Sequence, residues 1–236
     1  MSAPETPARD CPRCPRLVGL RDATRAAHPD WFNAPVPSFG DLSAELLIVG
    51  LAPGLTGANR TGRPFTGDHA GGLLYATLRK FDYARGEYAA RADDGLTLSG
   101  VRITNAVRCV PPQNRPEPAE TARCRPYLAA EIAALPRLRA ILALGAIAHA
   151  SVTAARGLKG SAYPFAHGRL HALPGGLVLA DSYHCSRLNT NTGKLTQQMF
   201  EAVFTALQPV LGGGPSPRPS PRGRGEGEAR GKVAGG

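Results

Sequence analysis

The sequence has no apolar segment long enough to cross a membrane and no apolar leader near its start. A membrane-spanning helix needs about 20 consecutive apolar residues, and no such run occurs among the 236 residues. Residues 1–9 are polar and contain proline, unlike the apolar centre of a secretory signal. We therefore expect an intracellular, cytoplasmic protein with no membrane partner, in which the five cysteines do not form disulfides.

The usual glycine motifs for phosphate binding are missing from the glycine-rich stretch of residues 50–68. This stretch has no lysine of the G-x-x-x-x-G-K-[ST] type and no G-x-G-x-x-G spacing, so neither nucleoside triphosphate nor dinucleotide binding is predicted there. It follows an apolar run, and open α/β sheets bind ligands where their strands end. We therefore predict the active site at this loop; the alternative is an ordinary strand-to-helix connection.

Acidic residues are scarce relative to basic ones. Lys and Arg number 28 against 18 Asp and Glu, which gives a formal net charge of +10. Residues 212–236 contribute +3 of that charge, so the remainder of the chain is also basic. A basic surface favours association with a polyanion, although net charge carries no information about the fold.

Apolar runs of β-forming composition alternate with helical patterns along the chain. The runs occupy 46–50, 101–107, 139–144 and 177–180, and the helical patterns occupy 17–27, 71–81, 118–135, 145–155 and 195–211. Strands separated by helices predict an α/β fold, a three-layer α/β/α sandwich with a central four-stranded parallel sheet. We expect Pro126 to divide the 118–135 helix in two. Residues 1–211 form one predicted domain, and 212–236, rich in Gly, Pro and Arg, a disordered tail.

Four of the cysteines suggest a metal centre. Cys11 and Cys14 form a Cys-x-x-Cys pair, and Cys109 and Cys124 form a second pair separated by a proline-rich segment. Four thiolates in an intracellular chain suit a tetrahedral zinc ion or an iron-sulfur cluster, and spacing alone does not choose between them. Scattered free thiols are the alternative to both.

The ordered set of motifs resembles the uracil-DNA glycosylase superfamily, and within it the iron-sulfur type B, or family 5, uracil-DNA glycosylases. The motifs, in chain order, are Cys-x-x-Cys at 11–14, Gly-Leu-Ala-Pro-Gly at 50–54, Gly-Ala-Asn-Arg-Thr-Gly at 57–62, Gly-Arg-Pro-Phe-Thr-Gly-Asp at 62–68, Ile-Thr-Asn-x-x-Arg-Cys-x-Pro-Pro at 103–112, a cysteine at 124 and Ser-Tyr-His-x-Ser at 182–186. The match extends from about residue 11 to residue 211. Each motif is modest evidence by itself, but their common order is strong evidence.

The resemblance implies a 4Fe-4S cluster on Cys11, Cys14, Cys109 and Cys124, with zinc as the alternative. It also implies excision of uracil from DNA. The expected partner is therefore DNA that contains uracil or another deaminated base, and we expect a nucleoid-associated monomer. A base inside a duplex is out of reach, so such an enzyme must extrude it into a pocket.

Each step of that chemistry has a candidate residue in the motifs. Phe65 is placed to stack on the extruded base, and the amide of Asn105 offers both a donor and an acceptor to the O4 and N3–H of uracil. Negative charge develops on O2 of the departing base, where His184 can donate a hydrogen bond. The backbone N–H groups near Leu51 and Ala52 can act in the same way.

Two departures from the superfamily pattern affect the predicted site. No acid stands at Leu51–Ala52 to position water, which leaves Asp68 as the nearest catalytic candidate; its alternative role is to cap the next helix. The usual His-Pro-Ser reads His-Cys-Ser at 184–186, so Cys185 is a fifth thiol outside the metal set. After it, we expect Arg187 to meet a phosphate and Leu188 to enter the base stack.

These residues predict a monofunctional hydrolase that leaves an abasic site, because no motif places a lysine for Schiff-base chemistry. The resemblance suggests that hypoxanthine or xanthine is also accepted. Two other functions remain open at this point: a noncatalytic, metal-containing module that binds damaged DNA, and an enzyme that acts on free nucleotides.

Overall fold

The computed structural model describes residues 3–212, so the predicted tail lies, from residue 213 onward, outside the described residues. None of the helices within 3–212 is both long and apolar enough to cross a membrane. The helices are α1 (Pro15–Ala27), α2 (Ala58–Thr61), α3 (His69–Lys80), α4 (Pro118–Ala133), α5 (Ala146–Ala155), α6 (Arg187–Asn191) and α7 (Gln197–Leu207). The strands are β1 (Leu46–Gly50), β2 (Ala84–Arg85), β3 (Thr97–Leu98), β4 (Val101–Asn105), β5 (Ala140–Leu144), β6 (Leu170–Ala172) and β7 (Val178–Ser182).

The central sheet has the strand order β4-β1-β5-β7-β6. The first four strands are parallel, with Ile48 of β1 opposite Ile103 of β4 and Leu142 of β5. This confirms the predicted α/β fold with four parallel strands. The short strand β6 adds a fifth, antiparallel strand at the edge, and β2 and β3 form a separate hairpin ladder.

Alternate residues of the buried strands face two different apolar layers. Ile48 packs with residues of α3 and α7, among them Leu78 and Phe204. The next residue of β1, Val49, packs on the other side with residues of α4 and α5, among them Ile132. Because side chains alternate across a strand, a run that is apolar at every position requires helices on both faces. The predicted three-layer arrangement is therefore confirmed.

The expectation that Pro126 divides the fourth helix is wrong. Helix α4 continues through Pro126 from residue 118 to residue 133. Pro126 is exposed on the outer face of the helix, whereas Leu128 and Ile132 are buried against the sheet. Tertiary packing of that face therefore outweighs the local cost of the proline.

A buried ion pair joins the loop after β4 to α4. The Nη2 atom of Arg108 lies 2.9 Å from Oε2 of Glu131, and the side chains are 1% and 0% exposed. Arg102 pairs with the other oxygen of Glu131, and Arg108 also donates to Oγ of Ser38 at 2.9 Å. Burial alone would raise the pKa of Glu131, but the two guanidinium groups outweigh it and lower the pKa. The Glu131 carboxylate is therefore charged and fully paired in the fold.

We expect Glu131→Gln to destabilise the protein strongly, because it leaves the buried guanidinium of Arg108 without a counter-charge. Breaking one partner of a buried pair costs about 3–5 kcal/mol of unfolding free energy. Denaturant unfolding followed by circular dichroism measures the loss. Asp22→Asn is the control, since Asp22 pairs with Arg21 at 3.7 Å but is 59% exposed and should change stability by less than about 1 kcal/mol. Equal, small losses in both variants would contradict the assigned role of the pair.

Candidate active site and cysteine cavity

The active-site loop begins where β1 ends, at Gly50. A Cβ atom at this position would lie 2.4 Å from Oδ1 of Asn105 and 2.5 Å from Cζ of Phe65. No side chain fits in that gap, so the glycine is required by close approach. Because Gly50 has no side chain, Asn105 at the end of β4 and the ring of Phe65 can approach each other over the end of β1.

Five of the predicted residues line one pocket of about 240 Å³ at the carboxyl ends of the parallel strands. They are Ala52, Phe65, Asp68, Asn105 and His184. Sequence reasoning did not identify the rest of the wall, which is made of Pro53, Gly54, Ala58 and Ala70. These residues come from three chain segments, which follow β1, end β4 and follow β7, and the parallel sheet brings them together because all of its parallel strands end on the same side.

Asn105 supplies the pocket with an unsatisfied acceptor. It is the last residue of β4 and only 3% exposed. Its Oδ1 atom is buried and has no hydrogen-bond partner among the described residues. A buried polar atom without a partner costs about 1–3 kcal/mol, so its retention in a pocket indicates that a ligand donor completes the bond.

Phe65 and His184 face each other across the pocket. Their ring centroids lie 6.0 Å apart, with an angle of 30° between the planes. Phe65 is 6% exposed, and its backbone adopts a left-handed conformation with φ of 54°. The flat face of Phe65 is therefore presented beside the acceptor of Asn105, which is the arrangement expected for stacking a planar ring.

His184 follows β7 and is held by the short helix after it. The Nδ2 atom of Asn189 donates to the carbonyl oxygen of His184 at 2.8 Å, and Ser186 caps α6 by accepting from the backbone of Asn189. Burial lowers the pKa of His184 to about 4. The imidazole is therefore neutral near pH 7, so it can donate one hydrogen bond without carrying a positive charge.

Asp68 caps a helix, which was the alternative role predicted for it, and it also borders the pocket. Its Oδ1 atom accepts from the backbone N–H of Gly71 at 3.2 Å, which caps α3. Burial raises the pKa of Asp68 above its ordinary value, in spite of the backbone hydrogen bonds that oppose this effect. A Cβ atom on Gly57 would lie 2.7 Å from Oδ2 of Asp68, so the loop packs closely around the carboxylate.

The pocket opens into a groove of about 810 Å³. Leu51 and Arg187 line this groove, together with Leu55, His69, Asn114 and Ser186, which the sequence did not indicate. Leu51 borders the groove and not the inner pocket, whereas Ala52 borders both. Leu188 follows Arg187 and is 72% exposed, an unusual exposure for a large apolar side chain at the edge of a groove.

A second cavity collects the four cysteines that were predicted to form a metal centre. Cys11, Cys14, Cys109 and Cys124 all line this cavity of about 360 Å³, which lies between the start of α1, the loop after β4 and α4. Burial raises the pKa of Cys109 to about 12 and also raises the pKa values of Cys14 and Cys124. Cys185 is buried separately in the core under the β7 loop.

The spacing of the sulfur atoms bears on which metal the cavity could hold. Thiolates bound to one zinc ion at 2.3 Å lie about 3.8 Å apart. Within residues 3–212 no three of these Sγ atoms fall within 4.8 Å of one another, although His149, His171 and Asp181 do present three ligand atoms at that spacing. The four sulfur atoms are therefore less closely grouped than the ligands of a single zinc ion.

The triad of His149, His171 and Asp181 was not predicted as a site. Asp181 is fully buried on β7 and accepts from both rings, at 2.6 Å from Nδ1 of His149 and 3.0 Å from Nε2 of His171. The other ring nitrogen of His149 lies 2.7 Å from the carbonyl oxygen of Tyr163. Hydrogen bonding within the group accounts for these side chains, which tie the edge strand and α5 to β7.

Comparison with known proteins agrees with this geometry. Residues 37–208 match the family model of the uracil DNA glycosylase superfamily. A Type-5 uracil-DNA glycosylase of Thermus thermophilus is 46% identical over 208 residues, which cover 86% of this chain and 94% of that protein. The Type-5 enzyme of Mycobacterium tuberculosis is 41% identical over 86% of this chain and 78% of that protein. The Type-5 enzyme of Pyrobaculum aerophilum is 41% identical over 82% of this chain and 86% of that protein.

The pocket at the strand ends and the cysteine cavity thus occur in a chain whose sequence matches this family over most of its length. The chain belongs to the uracil-DNA glycosylase superfamily, in its Type-5 branch.

Proposed function

We propose that this chain removes uracil from DNA by hydrolysing the N-glycosidic bond, with water as the nucleophile and an abasic site as the product. The observation that carries the proposal is the buried, unpartnered Oδ1 atom of Asn105 beside Phe65 and His184. A flat base with an N–H donor completes the hydrogen bonding of that pocket, and the groove outside it is suited to the rest of the nucleotide.

Recognition of uracil follows from the donor and acceptor pattern of Asn105. Its Oδ1 atom accepts from N3–H of uracil while its Nδ2 group donates to O4. Cytosine has an acceptor at N3 and a donor at its amino group, so the same amide orientation leaves two mismatched polar contacts in a buried site. Each such contact costs about 1–3 kcal/mol, which favours uracil.

His184 stabilises the departing base. As the glycosidic bond breaks, negative charge collects on O2 of uracil and positive charge on the sugar. A neutral imidazole donates its N–H to O2 without the solvation cost of a buried cation, and the burial that lowers its pKa keeps it neutral. One preorganised donor to a developing oxyanion contributes roughly 10²–10³-fold in rate.

Asp68 positions the attacking water. It is the acid that lines the pocket, and its carboxylate oxygen lies at the inner end of the groove through which water and the sugar enter. An ionised carboxylate there also stabilises positive charge on the sugar. The cap bond from the backbone N–H of Gly71 to Oδ1 fixes the side chain beside the pocket.

The groove outside the pocket receives the DNA strand. Arg187 lines it and can pair with a phosphate, while the exposed Leu188 next to it can enter the base stack in place of the extruded uracil. The groove leads directly into the base pocket through Ala52, Gly54 and Asp68, which line both.

The same pocket accepts hypoxanthine or xanthine in this proposal. Its walls carry the small side chains of Ala52, Ala58 and Ala70, which leave room beside Phe65 for a larger bicyclic base. Both purines present an N–H next to a carbonyl group, which is the pattern that Asn105 reads.

The cysteine cavity holds a 4Fe-4S cluster bound by Cys11, Cys14, Cys109 and Cys124. Four thiols, one buried and three partly buried, line one cavity, and no three of their sulfur atoms within residues 3–212 lie as close together as the ligands of one tetrahedral zinc ion, which favours a cluster. When bound, the cluster joins three chain segments and supplies the positive charge that keeps the thiolates ionised. Its role is structural, since the cavity and the base pocket have no lining residue in common.

Excision should depend on the side chain of His184. In single-turnover assays on a uracil-containing duplex, His184→Ala should slow base release by roughly 10²–10³-fold, since it removes the donor to O2. His28→Ala is the matched control, because His28 stacks on Trp31 away from the pocket and should leave the rate unchanged. Binding to uracil DNA without base release by the wild-type protein would contradict the proposal and favour a noncatalytic binding module.

Protonation of His184 should slow base release only near pH 4, and not near 6.5, the ordinary pKa of histidine, because burial lowers its pKa to about 4. Asp68, whose pKa is raised above 3.8, should add a second loss of rate where its own carboxylate gains a proton. The residual activity of Asp68→Asn should show only the pH dependence that comes from His184, because this variant has no carboxylate at residue 68. A single-turnover pH profile of Asp68→Asn with an inflection at 6.5 would contradict the neutral role of His184.

Purification without oxygen should yield a brown protein with roughly four iron atoms and four sulfides per chain. Cys109→Ser should lose most of the iron and its visible absorption, since the cavity then lacks one thiolate. Cys185→Ser is the control, because Cys185 lies in the core and not in the cavity. Elemental analysis that finds zinc in place of iron would overturn the cluster assignment.

A further inference from the structure

Phe65 holds a backbone conformation that a bulky side chain rarely adopts. Its φ of 54° places it in the left-handed region, where an aromatic residue is strained. Such strain persists only where the surrounding structure imposes it, and it concentrates at functional sites. The contacts that impose it on Phe65 therefore bear on how the pocket is shaped.

Two tyrosine hydroxyl groups hold the backbone around this ring. Tyr75 on α3 donates to the carbonyl oxygen of Pro64 at 2.7 Å, and Tyr88, between β2 and β3, donates to the carbonyl oxygen of Phe65 at 3.1 Å. The hydroxyl of Tyr88 also lies 3.4 Å from the backbone N–H of Gly67. The turn that carries Phe65 is therefore fixed on both sides of the ring.

A buried ion pair also fixes the turn that carries Phe65. Arg63 forms two parallel bonds of 2.7 Å to the carboxylate of Asp94, and their side chains are 5% and 1% exposed. Its Nε atom donates to Oγ1 of Thr66 at 2.8 Å. A bidentate pair of this kind sets orientation as well as distance, so Arg63 is locked to the segment that contains Asp94.

Aromatic rings surround the guanidinium group. Arg63 lies 5.1 Å from the ring centroid of Phe39, 5.5 Å from that of Tyr75 and 6.0 Å from that of Tyr88. The rings of Tyr75 and Tyr88 are themselves stacked at 4.7 Å. Tyr75 and Tyr88, which hydrogen-bond to the turn that carries Phe65, thus also pack around the guanidinium of Arg63. The turn and the ion pair therefore belong to one packed cluster.

We propose that Arg63, Tyr88 and Asp94 are positioning residues for base excision, which hold Phe65 in its left-handed conformation so that its ring stacks on the extruded base. None of the three is among the residues that line the base pocket, so they act through Phe65. The inference rests on the proposed function in that Phe65 is the stacking ring. It assigns a catalytic purpose to the segment between β2 and β3, which contributes nothing to the pocket wall.

A glycine on α3 shows how tightly the turn is held. A Cβ atom on Gly71 would lie 1.9 Å from the carbonyl oxygen of Phe65 and 2.3 Å from the hydroxyl of Tyr88. The neighbouring Gly72 has open space around its missing Cβ. Gly71→Ala should therefore displace the Phe65 turn and reduce excision, whereas Gly72→Ala should leave it unchanged.

The central test uses variants in the β2–β3 segment. Tyr88→Phe removes only the hydroxyl, and Asp94→Asn removes the charge that pairs with Arg63. Each should lower kcat/KM on a uracil-containing duplex by roughly 10–100-fold, since a displacement of about 1 Å in a positioned group has effects of this size. Thermal melting of the metal-loaded, full-length protein shows whether each variant is folded at the assay temperature.

Matched controls come from this segment and from the residue just before β2. Tyr83→Phe alters a half-buried tyrosine that packs against Phe204, away from the Phe65 turn. Asp93→Asn alters the neighbour of Asp94, which pairs with Arg91 at the surface and is 75% exposed. Both controls should retain wild-type kcat/KM.

A double-mutant cycle separates positioning from a general loss of structure. In a Phe65→Ala background, Tyr88→Phe and Asp94→Asn should cause no further loss of kcat/KM, because the ring that they position is absent. A merely structural role would reduce activity equally in both backgrounds. If Asp94→Asn fails to fold, the Tyr88→Phe cycle alone decides the question.

The outcomes distinguish this inference from the proposed function. Wild-type activity in Tyr88→Phe and in folded Asp94→Asn, or losses that add to that of Phe65→Ala, would overturn the inference while excision by the wild-type protein stands. An undiminished rate in Phe65→Ala would also overturn it, since the ring would then have no role. Absence of excision by the wild-type protein would instead overturn the proposed function itself.

Discussion

The buried pair of Arg108 and Glu131 is the constraint that connects the two functional regions of this protein. Arg108 lies three residues after Asn105 and immediately before Cys109, and its backbone N–H donates to Sγ of Cys124 at 3.4 Å. Glu131 lies on α4, two turns beyond Cys124. Two charges removed from water must stay together, so the loop and helix cannot shift independently. The position of Asn105 in the base pocket is thereby tied to that of the cysteine cavity.

A second consequence of burial is electrostatic and lies in the base pocket. Desolvation lowers the pKa of His184 and raises that of Asp68, so both shifts favour the uncharged form of the group. Their chemical uses differ, because a neutral imidazole is still a hydrogen-bond donor, whereas a carboxylate must ionise to orient water. Both shifts therefore act on the acid side of the pH dependence, where His184 gains a charge and Asp68 loses one.

Much of this arrangement could be predicted from local sequence. The strand that ends at Gly50, the helix from residue 15 to residue 27 and the strand after Arg139 carry their apolar pattern within a few residues, so each element was located closely. Pro126 is the counter-example, because its local preference was overruled by the buried face of α4. The short elements α6 and β6 were not predicted as a helix and a strand, since five and three residues carry too little periodicity to be recognised.

The sequence by itself determined the fold class, the order of the motifs and the residue types available for base recognition, because periodicity and motif spacing are local properties of the chain. Only the tertiary structure decided that Asn105 is left without a partner, that Asp68 caps a helix while it borders the pocket, and that Tyr88 and Asp94 support the Phe65 turn. These facts depend on burial and on contacts between distant segments. Distances across the fold have no signature in a single sequence, so they follow only once the sheet has brought its strand ends together.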